Sequence, residues 1–305
     1  MESNYHTHTY RCGHAIGNEE QMVKAAIDAN IKLLGFSEHV PLPTFRKHLL
    51  FAFPYCLKST YTFLSWGKSI LCSGSRFRMP YKQKKAHLDE IAKLQIKYKD
   101  QILLYKGFEC DYLEDYLSYY KELIKSKQID FLLLGNHFYK KAIAANYYGK
   151  SGLSIEMLYH YQDTTIKALE TGLFTYIAHP DLFMQGYLKW DDHTEKISYA
   201  ICKKAKELSV PLELNAGGIR TEKRIINNKE SFCYPYDKFW DIVSEIGNDV
   251  VLGLDVHSPT NFDTQMMLYL DMYAKNKNLK VIPCLNMVWL RALEKNAVNS
   301  INWKL

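Results

Sequence analysis

The sequence predicts an α/β chain whose parallel strands close into a barrel, with the chemistry gathered where the strands end. Three observations carry this. Short runs of β-branched and aromatic residues alternate with segments of helical period, the mark of βα units and a largely parallel sheet. Seven or eight such units follow one another, which implies a closed barrel more than an open sheet. Metal-binding residue types stand at strand end after strand end, where a barrel of this kind builds its active site.

The elements follow in order. A short strand at about Ser3–Thr9 leads to a helix over 18–30, with Val23, Ala26, Ile27 and Asn30 along one side. A second strand, about Lys32–Ser37, meets Glu38-His39. A long irregular stretch precedes a helix over 81–99, and a third strand, Ile102–Phe108, ends at Glu109. Helix 114–127 leads to Ile129–Leu134 and then Gly135-Asn136-His137; helix 154–171 leads to Leu173–Ala178 and then His179-Pro180-Asp181. Helix 192–208 leads to Val210–Asn215, and helix 236–246 to Asp249–Leu254 with Asp255-Val256-His257 after it. Helix 262–276 and a last strand, Val281–Cys284, close the series. Such barrels commonly run ~200–250 residues or more as one unit, so residues 1–305 are read as a single domain with an irregular insert at about 45–79.

Composition removes several classes. Apolar residues make up 47% and charged residues 24%, globular values that exclude collagen-like, coiled-coil and disordered chains. No apolar run approaches the ~20 residues of a membrane span. The first residues, Met1-Glu2-Ser3-Asn4-Tyr5-His6, show no basic region followed by an apolar one, so a cytoplasmic location is expected. The net charge of +6 is mild and dispersed, which speaks against a nucleic-acid footprint and suits a small anionic substrate. Seven cysteines without a CxxC pair exclude a four-cysteine zinc site. The oligomeric state is left open, a homo-oligomer included.

Histidine is the informative residue. There are 11 in 305 positions, yet they recur at five of seven predicted strand ends. Residues two apart on a strand face the same way, so His6 and His8 project together, as do Asp255 and His257. If the strands are parallel, these four converge on one rim with His39, Glu109, His137 and His179. His14 lies in the loop after the first strand, within reach of that rim. Imidazoles and carboxylates in this number suit a cluster of zinc, iron or manganese ions. His48, His87, His160 and His193 fall in the insert or within helices and are read as structural or surface residues.

These motifs resemble the PHP (polymerase and histidinol phosphatase) family, and within it the monofunctional histidinol-phosphate phosphatases. The matching stretches are Tyr5-His6-Thr7-His8-Thr9 with Cys12-Gly13-His14; Gly35-Phe36-Ser37-Glu38-His39; Lys106-Gly107-Phe108-Glu109; and Gly135-Asn136-His137-Phe138. They continue with Ile177-Ala178-His179-Pro180-Asp181, Glu213-Leu214-Asn215-Ala216-Gly217-Gly218-Ile219-Arg220 and Gly253-Leu254-Asp255-Val256-His257. The resemblance implies a distorted seven-stranded (β/α) TIM-like barrel with a centre of three divalent metals at its C-terminal rim. It places the ligands on His6, His8, His14, His39, Glu109, His137, His179, Asp255 and His257, with Glu109 bridging two metals. It assigns Glu213 and Asn215 to a supporting or substrate-facing motif. The chain departs from the family at Glu38, where many relatives have Asp, at Gly135-Asn136 before His137, and most of all between about Phe45 and Met79, which reads as a lid or a surface loop.

The chemistry so implied is hydrolysis of a phosphate monoester, L-histidinol phosphate, to L-histidinol and phosphate in histidine biosynthesis, by a hydroxide bridging the metals. Asp181 is expected either to protonate the leaving oxygen or to orient His179. Arg220, after the Ala216-Gly217-Gly218 turn, and Arg78 are the candidate phosphate clamps. Other readings are a phosphoesterase acting on a different small ester, phosphotyrosine or nucleotide, and a metal-binding barrel without catalysis.

Overall fold

Phe131-Leu132-Leu133-Leu134 is apolar at every position, and a strand of that kind must be covered on both faces. The computed structural model, which describes residues 1–43, 78–139 and 147–285 with scattered positions between 53 and 67, shows how. Leu132 and Leu134 join the main core between sheet and helices, while Phe131 and Leu133 turn into the curl of the sheet with Tyr5, Tyr176, Ala178, Val251 and Leu285. Glycines in the neighbouring strands make room for that inner layer: a Cβ at Gly35 would lie 2.8 Å, and one at Gly107 2.5 Å, from the Phe131 ring.

The strands are β1 (Ser3–Asn4), β2 (Leu33–His39), β3 (Leu103–Cys110), β4 (Phe131–Leu134), β5 (Tyr176–Ile177), β6 (Leu212–Asn215), β7 (Arg224–Ile226), β8 (Lys229–Ser231), β9 (Asp249–Gly253) and β10 (Lys280–Val281). One sheet of eight strands runs β1-β2-β3-β4-β5-β6-β9-β10, and every pairing in it is parallel. Among the described residues the count is thus eight, as the sequence series has it, rather than the seven that the family resemblance implies. The extra strand, β10, pairs with the start of β9, and beyond it the Leu285 N–H donates to the Tyr5 hydroxyl at 2.8 Å. At the opposite ends of the strands the curl meets itself directly, through a parallel bridge between Thr7 and Val256. Hydrogen bonds from His8 N to Val256 O (2.8 Å) and from Val256 N to His6 O (3.0 Å) secure it.

The helices are α1 (Glu19–Asp28), α2 (Lys84–Lys97), α3 (Leu117–Lys125), α4 (Ile155–Glu170), α5 (Phe183–Gly186), α6 (Asp192–Glu207), α7 (Asp237–Ile246) and α8 (Thr264–Asn276). Their starts are written in the sequence: Asn18 and Gln21 form a capping box on α1, Asp191 and Thr194 another on α6, and Ser154 and Asp263 cap α4 and α8. Gly247, at φ 70°, ends α7 in the left-handed turn that glycine favours. Among the described residues no helix is long and apolar enough to cross a membrane. The 45–79 insert lies outside the described residues but for scattered positions and its last two, Arg78 and Met79, both buried.

Candidate metal centre

The rim is built by register. His39 at the end of β2 stands directly opposite Glu109 near the end of β3. The Thr7–Val256 bridge sets His6 and His8 beside Asp255 and His257. His137 and His179 follow β4 and β5 after a sharp change of backbone direction. Asn136, His179 and Asp255 adopt φ of 38°, 32° and 50°, a left-handed region that costs a non-glycine residue about 1–3 kcal/mol. Such strain persists only where surrounding contacts impose it. Here the Asn136 amide donates to Thr165 Oγ1 at 2.7 Å and to Tyr161 O at 3.2 Å, holding the turn that presents His137.

Glu109 lies at the centre, 1% exposed. Its Oε1 is 3.0 Å from His179 Nε2 and 3.1 Å from His137 Nε2. Its Oε2 faces a different set: His39 Nδ1 at 3.1 Å, and His6 Nε2 and His8 Nε2 each at 3.4 Å. Asp255 Oδ1 sits 3.4 Å from His6 Nε2, 3.7 Å from His8 Nε2 and 3.3 Å from His257 Nδ1. Farther out, His14 Nε2 and His257 Nε2 approach to 3.0 Å, with His39 completing a third group. Burial alone would raise the Glu109 and Asp255 carboxyls, but the imidazoles around them hold both well below the usual carboxylate range.

The donor set fits divalent cations. His6 Nε2, His8 Nε2, Glu109 Oε2 and Asp255 Oδ1 are buried and make no hydrogen bond, and the two imidazole nitrogens lie 3.4–3.7 Å from each of the two carboxylate oxygens. Four such orphans together would cost several kcal/mol unless a cation draws on their lone pairs. Imidazole nitrogens and carboxylate oxygens are the ligands of zinc, iron and manganese.

A second layer fixes the rings. His6 Nδ1 donates to both oxygens of Glu213, 3.0 Å each, which turns Nε2 toward the rim. Glu213 also accepts from His179 N (3.2 Å) and Asn215 Nδ2 (2.7 Å). Glu38, expected from its place before His39 to orient that ring, faces His8 instead: its Oε2 lies 3.8 Å from His8 Nδ1, and its other oxygen accepts from Thr9 N at 2.6 Å. Asp111 accepts from His137 N at 2.7 Å and stands 3.4 Å from its Nδ1. Gly135 is required by this crowding, since a Cβ there would press on the His137 ring and Glu109 Oε1.

Residues 4–217 match the family model described as PHP domain. The chain belongs to the PHP domain family. A Deinococcus radiodurans protein named probable histidinol-phosphatase is 24% identical over 262 residues, 83% of this chain and 85% of that protein. The Lactococcus lactis histidinol phosphate phosphatase, solved with zinc, L-histidinol and phosphate, superposes with a TM-score of 0.66 at 15% identity, covering 94% of this chain and 97% of that one. The hisK protein of Listeria monocytogenes gives 0.61 at 18% identity, covering 88% and 99%. At such identities the superpositions establish the fold.

In this PHP domain all nine candidate ligands meet at one rim, and the five other expected residues stand behind it. Glu213 and Asn215 are buried behind His6, facing the ligands. Arg78, 5% exposed, donates from Nη2 to Asp111 at 2.5 Å and from Nη1 to Val40 O at 3.2 Å, so it braces the residue that orients His137. Arg220 Nη2 donates to the carbonyls of Leu254 and Asp255, behind the Asp255 ligand. Asp181 is the clearest departure. It does not reach the His179 ring side of the cavity; its Oδ2 accepts from Tyr236 N (2.7 Å) and Trp240 Nε1 (3.0 Å), and burial pushes its pKa up to about 7.

A cavity of about 590 Å³ opens over the centre, with Glu109, Asp255 and five of the histidines in its wall. The sequence reading missed its other walls: Phe138, Tyr147, Lys150, Leu182 and Tyr234. Lys150 is the lysine or arginine among the described lining residues. Its turn is held by the Lys150 N to Tyr147 O bond (3.1 Å), and Phe138 pairs with Tyr147 across an antiparallel bridge. The Tyr147-Tyr148-Gly149-Lys150 sequence carried a turn signal, but nothing in it points toward a metal rim. Cys12 was also passed over; it is buried, and its sulfur falls in one group with His8 and His257.

Proposed function

We propose that this PHP domain is a metal-dependent phosphomonoesterase whose substrate is L-histidinol phosphate, cleaved to L-histidinol and phosphate. The single observation that carries the reading is the Glu109 carboxylate, which divides its two oxygens between two sets of buried nitrogen donors at the floor of a cavity. A carboxylate so placed could give one oxygen to each of two cations. The site would hold three: one at His6, His8 and Asp255, one beside Glu109, where His137 and His179 approach Oε1, and one among His14, His39 and His257. Divalent metals there would neutralise the phosphoryl dianion and supply hydroxide near neutral pH, the two needs of monoester hydrolysis.

The remaining walls suit the rest of such a substrate. Lys150 can meet phosphoryl oxygens away from the metals, and it would repel the ammonium group of the leaving alcohol, which therefore points elsewhere. Phe138 and Tyr147, with ring centroids 5.8 Å apart, present aromatic faces on which an imidazole can stack. Arg78 and Arg220 are committed to Asp111 and to backbone carbonyls, so they serve the ligands rather than the phosphate. Names and ligands of the relatives from Deinococcus and Lactococcus support the same substrate.

The test is phosphate release from L-histidinol phosphate beside a panel of other phosphomonoesters, on protein of measured metal content. A kcat/KM for histidinol phosphate at least 100-fold above the panel is expected. Equal turnover across the panel would keep the phosphoesterase and remove this substrate; no turnover of any ester by metal-loaded protein would leave a binding barrel.

A further inference from the structure

His14 differs from the other eight candidate ligands in its support. They stand on strands or in the turns that immediately follow, whereas His14 rides on an irregular loop over 9–17, exposed on its outer side. The loop turns at Gly13 (φ 84°) and is tied to the rim by Ile16 N to His257 O at 2.9 Å. Behind it lies a cluster of buried ionisable groups that the metal centre does not use. Arg11 Nε donates to Glu19 Oε1 at 2.5 Å, and His87 Nδ1 donates to the same oxygen at 2.7 Å. Glu19, 1% exposed, opens α1; His87, fully buried, comes from α2 and lies against the rings of Phe36 and Phe108. One carboxylate oxygen therefore joins the His14 loop, the start of α1 and the helix packed behind the strands of His39 and Glu109.

Such a cluster is a poor source of stability. Removing a carboxylate, a guanidinium and an imidazole from water costs several kcal/mol per ion, and apolar residues of similar volume commonly do as well or better. What the cluster gives is position. Burial would raise the Glu19 carboxyl, but the bonds from His87 and Arg11 outweigh it and hold it below its ordinary value, so it stays an anion for Arg11 to grip.

We propose that Glu19, acting through Arg11, is a positioning residue for the outermost cation site, holding the loop so that His14 meets His257 and His39. The inference rests on the metal centre argued above. It is selective because His6 and His8 are held by the strand bridge to Val256 and do not depend on the loop.

The experiment uses the full chain and two variants, Glu19→Gln and Arg11→Met. Manganese and zinc are titrated into chelator-stripped protein, with bound metal counted by emission spectroscopy and the stripped proteins' melting temperatures measured alongside. Wild type is expected to take up three cations. Both variants should take up two with wild-type affinity and the third at least 10-fold more weakly, the usual effect of losing an outer-shell support. Excess metal should then restore kcat, and Arg11→Lys should recover part of the affinity. Glu19 is buried and its replacement puts folding at risk; Arg11, with its side chain 12% exposed, is the safer substitution, and Arg11→Met keeps the test decisive. Three cations bound equally well by wild type and Arg11→Met would overturn the inference and leave the metal centre standing. A uniform weakening of all three sites would overturn it as well. A wild-type chain that binds no divalent cation would remove the centre itself.

Discussion

Glu213 is where two readings of one residue part most sharply, as a substrate contact or as the support of His6. Replacement by Gln keeps the shape and removes the charge. Both carboxylate oxygens now lie 3.0 Å from His6 Nδ1, and between them they also accept from His179 N at 3.2 Å, Asn215 Nδ2 at 2.7 Å and Tyr176 OH at 3.4 Å. An amide has one acceptor oxygen. Whichever way it turns, its NH2 lies beside the His6 Nδ1 donor, and in one orientation it also meets the His179 N–H and the Asn215 amide. A hydrogen bond to a charged group contributes about 1.5–3 kcal/mol. Loss of outer-shell support typically costs 10–100-fold in metal affinity, or ~1.4–2.7 kcal/mol at 1.4 kcal/mol per decade. The two routes agree in size. The assay is competition between loaded protein and a chromophoric chelator, with kcat and KM measured at saturating metal. Glu213→Gln should weaken at least one cation 10–100-fold and change KM by less than about threefold. Unchanged metal affinity with a tenfold rise in KM would refute the reasoning and return Glu213 to the substrate.

Three further outcomes are expected. Glu109→Gln should abolish phosphatase activity and lower the metal content of isolated protein, because no single amide can serve both sets of nitrogens; normal metal content with full activity would remove the bridge. Lys150→Met should raise KM for phosphate esters about tenfold, the value of one charge-assisted contact of ~1.4 kcal/mol at a half-open rim, with metal content unchanged and Lys150→Arg near wild type; equal KM values would take Lys150 off the phosphate. Asp181 gives a pH signature. Its folded carboxyl, raised from 3.8 to about 7 by burial, binds a proton more tightly than the unfolded one. That stabilisation is complete below pH ~4 and lost as pH rises through about 7, ~4 kcal/mol in all at 1.36 kcal/mol per pH unit. Melting curves of metal-stripped wild type and Asp181→Asn should therefore converge or cross between pH 5 and 8, in favour of the variant at the alkaline end; a constant difference would show that Asp181 ionises normally.

The candidate ligands were legible because they obey a rule of position. In a parallel barrel every strand ends on the same rim, so a histidine or carboxylate at the end of a predicted strand has its place without any knowledge of side-chain contacts. His39 and Glu109 illustrate it, falling directly opposite each other in the β2–β3 register. The rule gives no depth. Glu213 lies two residues before the end of β6 and Arg220 in the turn beyond it, and nothing in sequence says that one sits beneath His6 and the other reaches back to the carbonyls of Leu254 and Asp255. Asp181 misled for a related reason. At φ 32° His179 turns the chain sharply, and the carboxyl two residues on is carried into the core against Trp240. The β7–β8 hairpin stands outside the repeating βα pattern, and its one mark in the sequence is the Asn227-Asn228 pair, which takes φ of 48° and 64° at the turn.

The supports also differ from the inside of the centre to the outside, and that difference has a consequence for how it fills. His6, His8 and His137 each have a buried carboxylate behind the ring: Glu213, Glu38 and Asp111. His14 Nδ1 lies 3.3 Å from a backbone carbonyl, Cys12 O, and His257 Nδ1 lies 3.2 Å from Asp255 O and 3.3 Å from Asp255 Oδ1, itself a candidate ligand. A carboxylate partner makes an imidazole a stronger base toward a cation than a carbonyl does, and the dry interior strengthens each contact further. Side-chain exposure rises along the same line, from 0% at His6 to 29% at His257. Cations should therefore bind in sequence, the sites around Glu109 first and the His14–His39–His257 site last, and that last site is the one a change in the surrounding chain can tune without disturbing the rest.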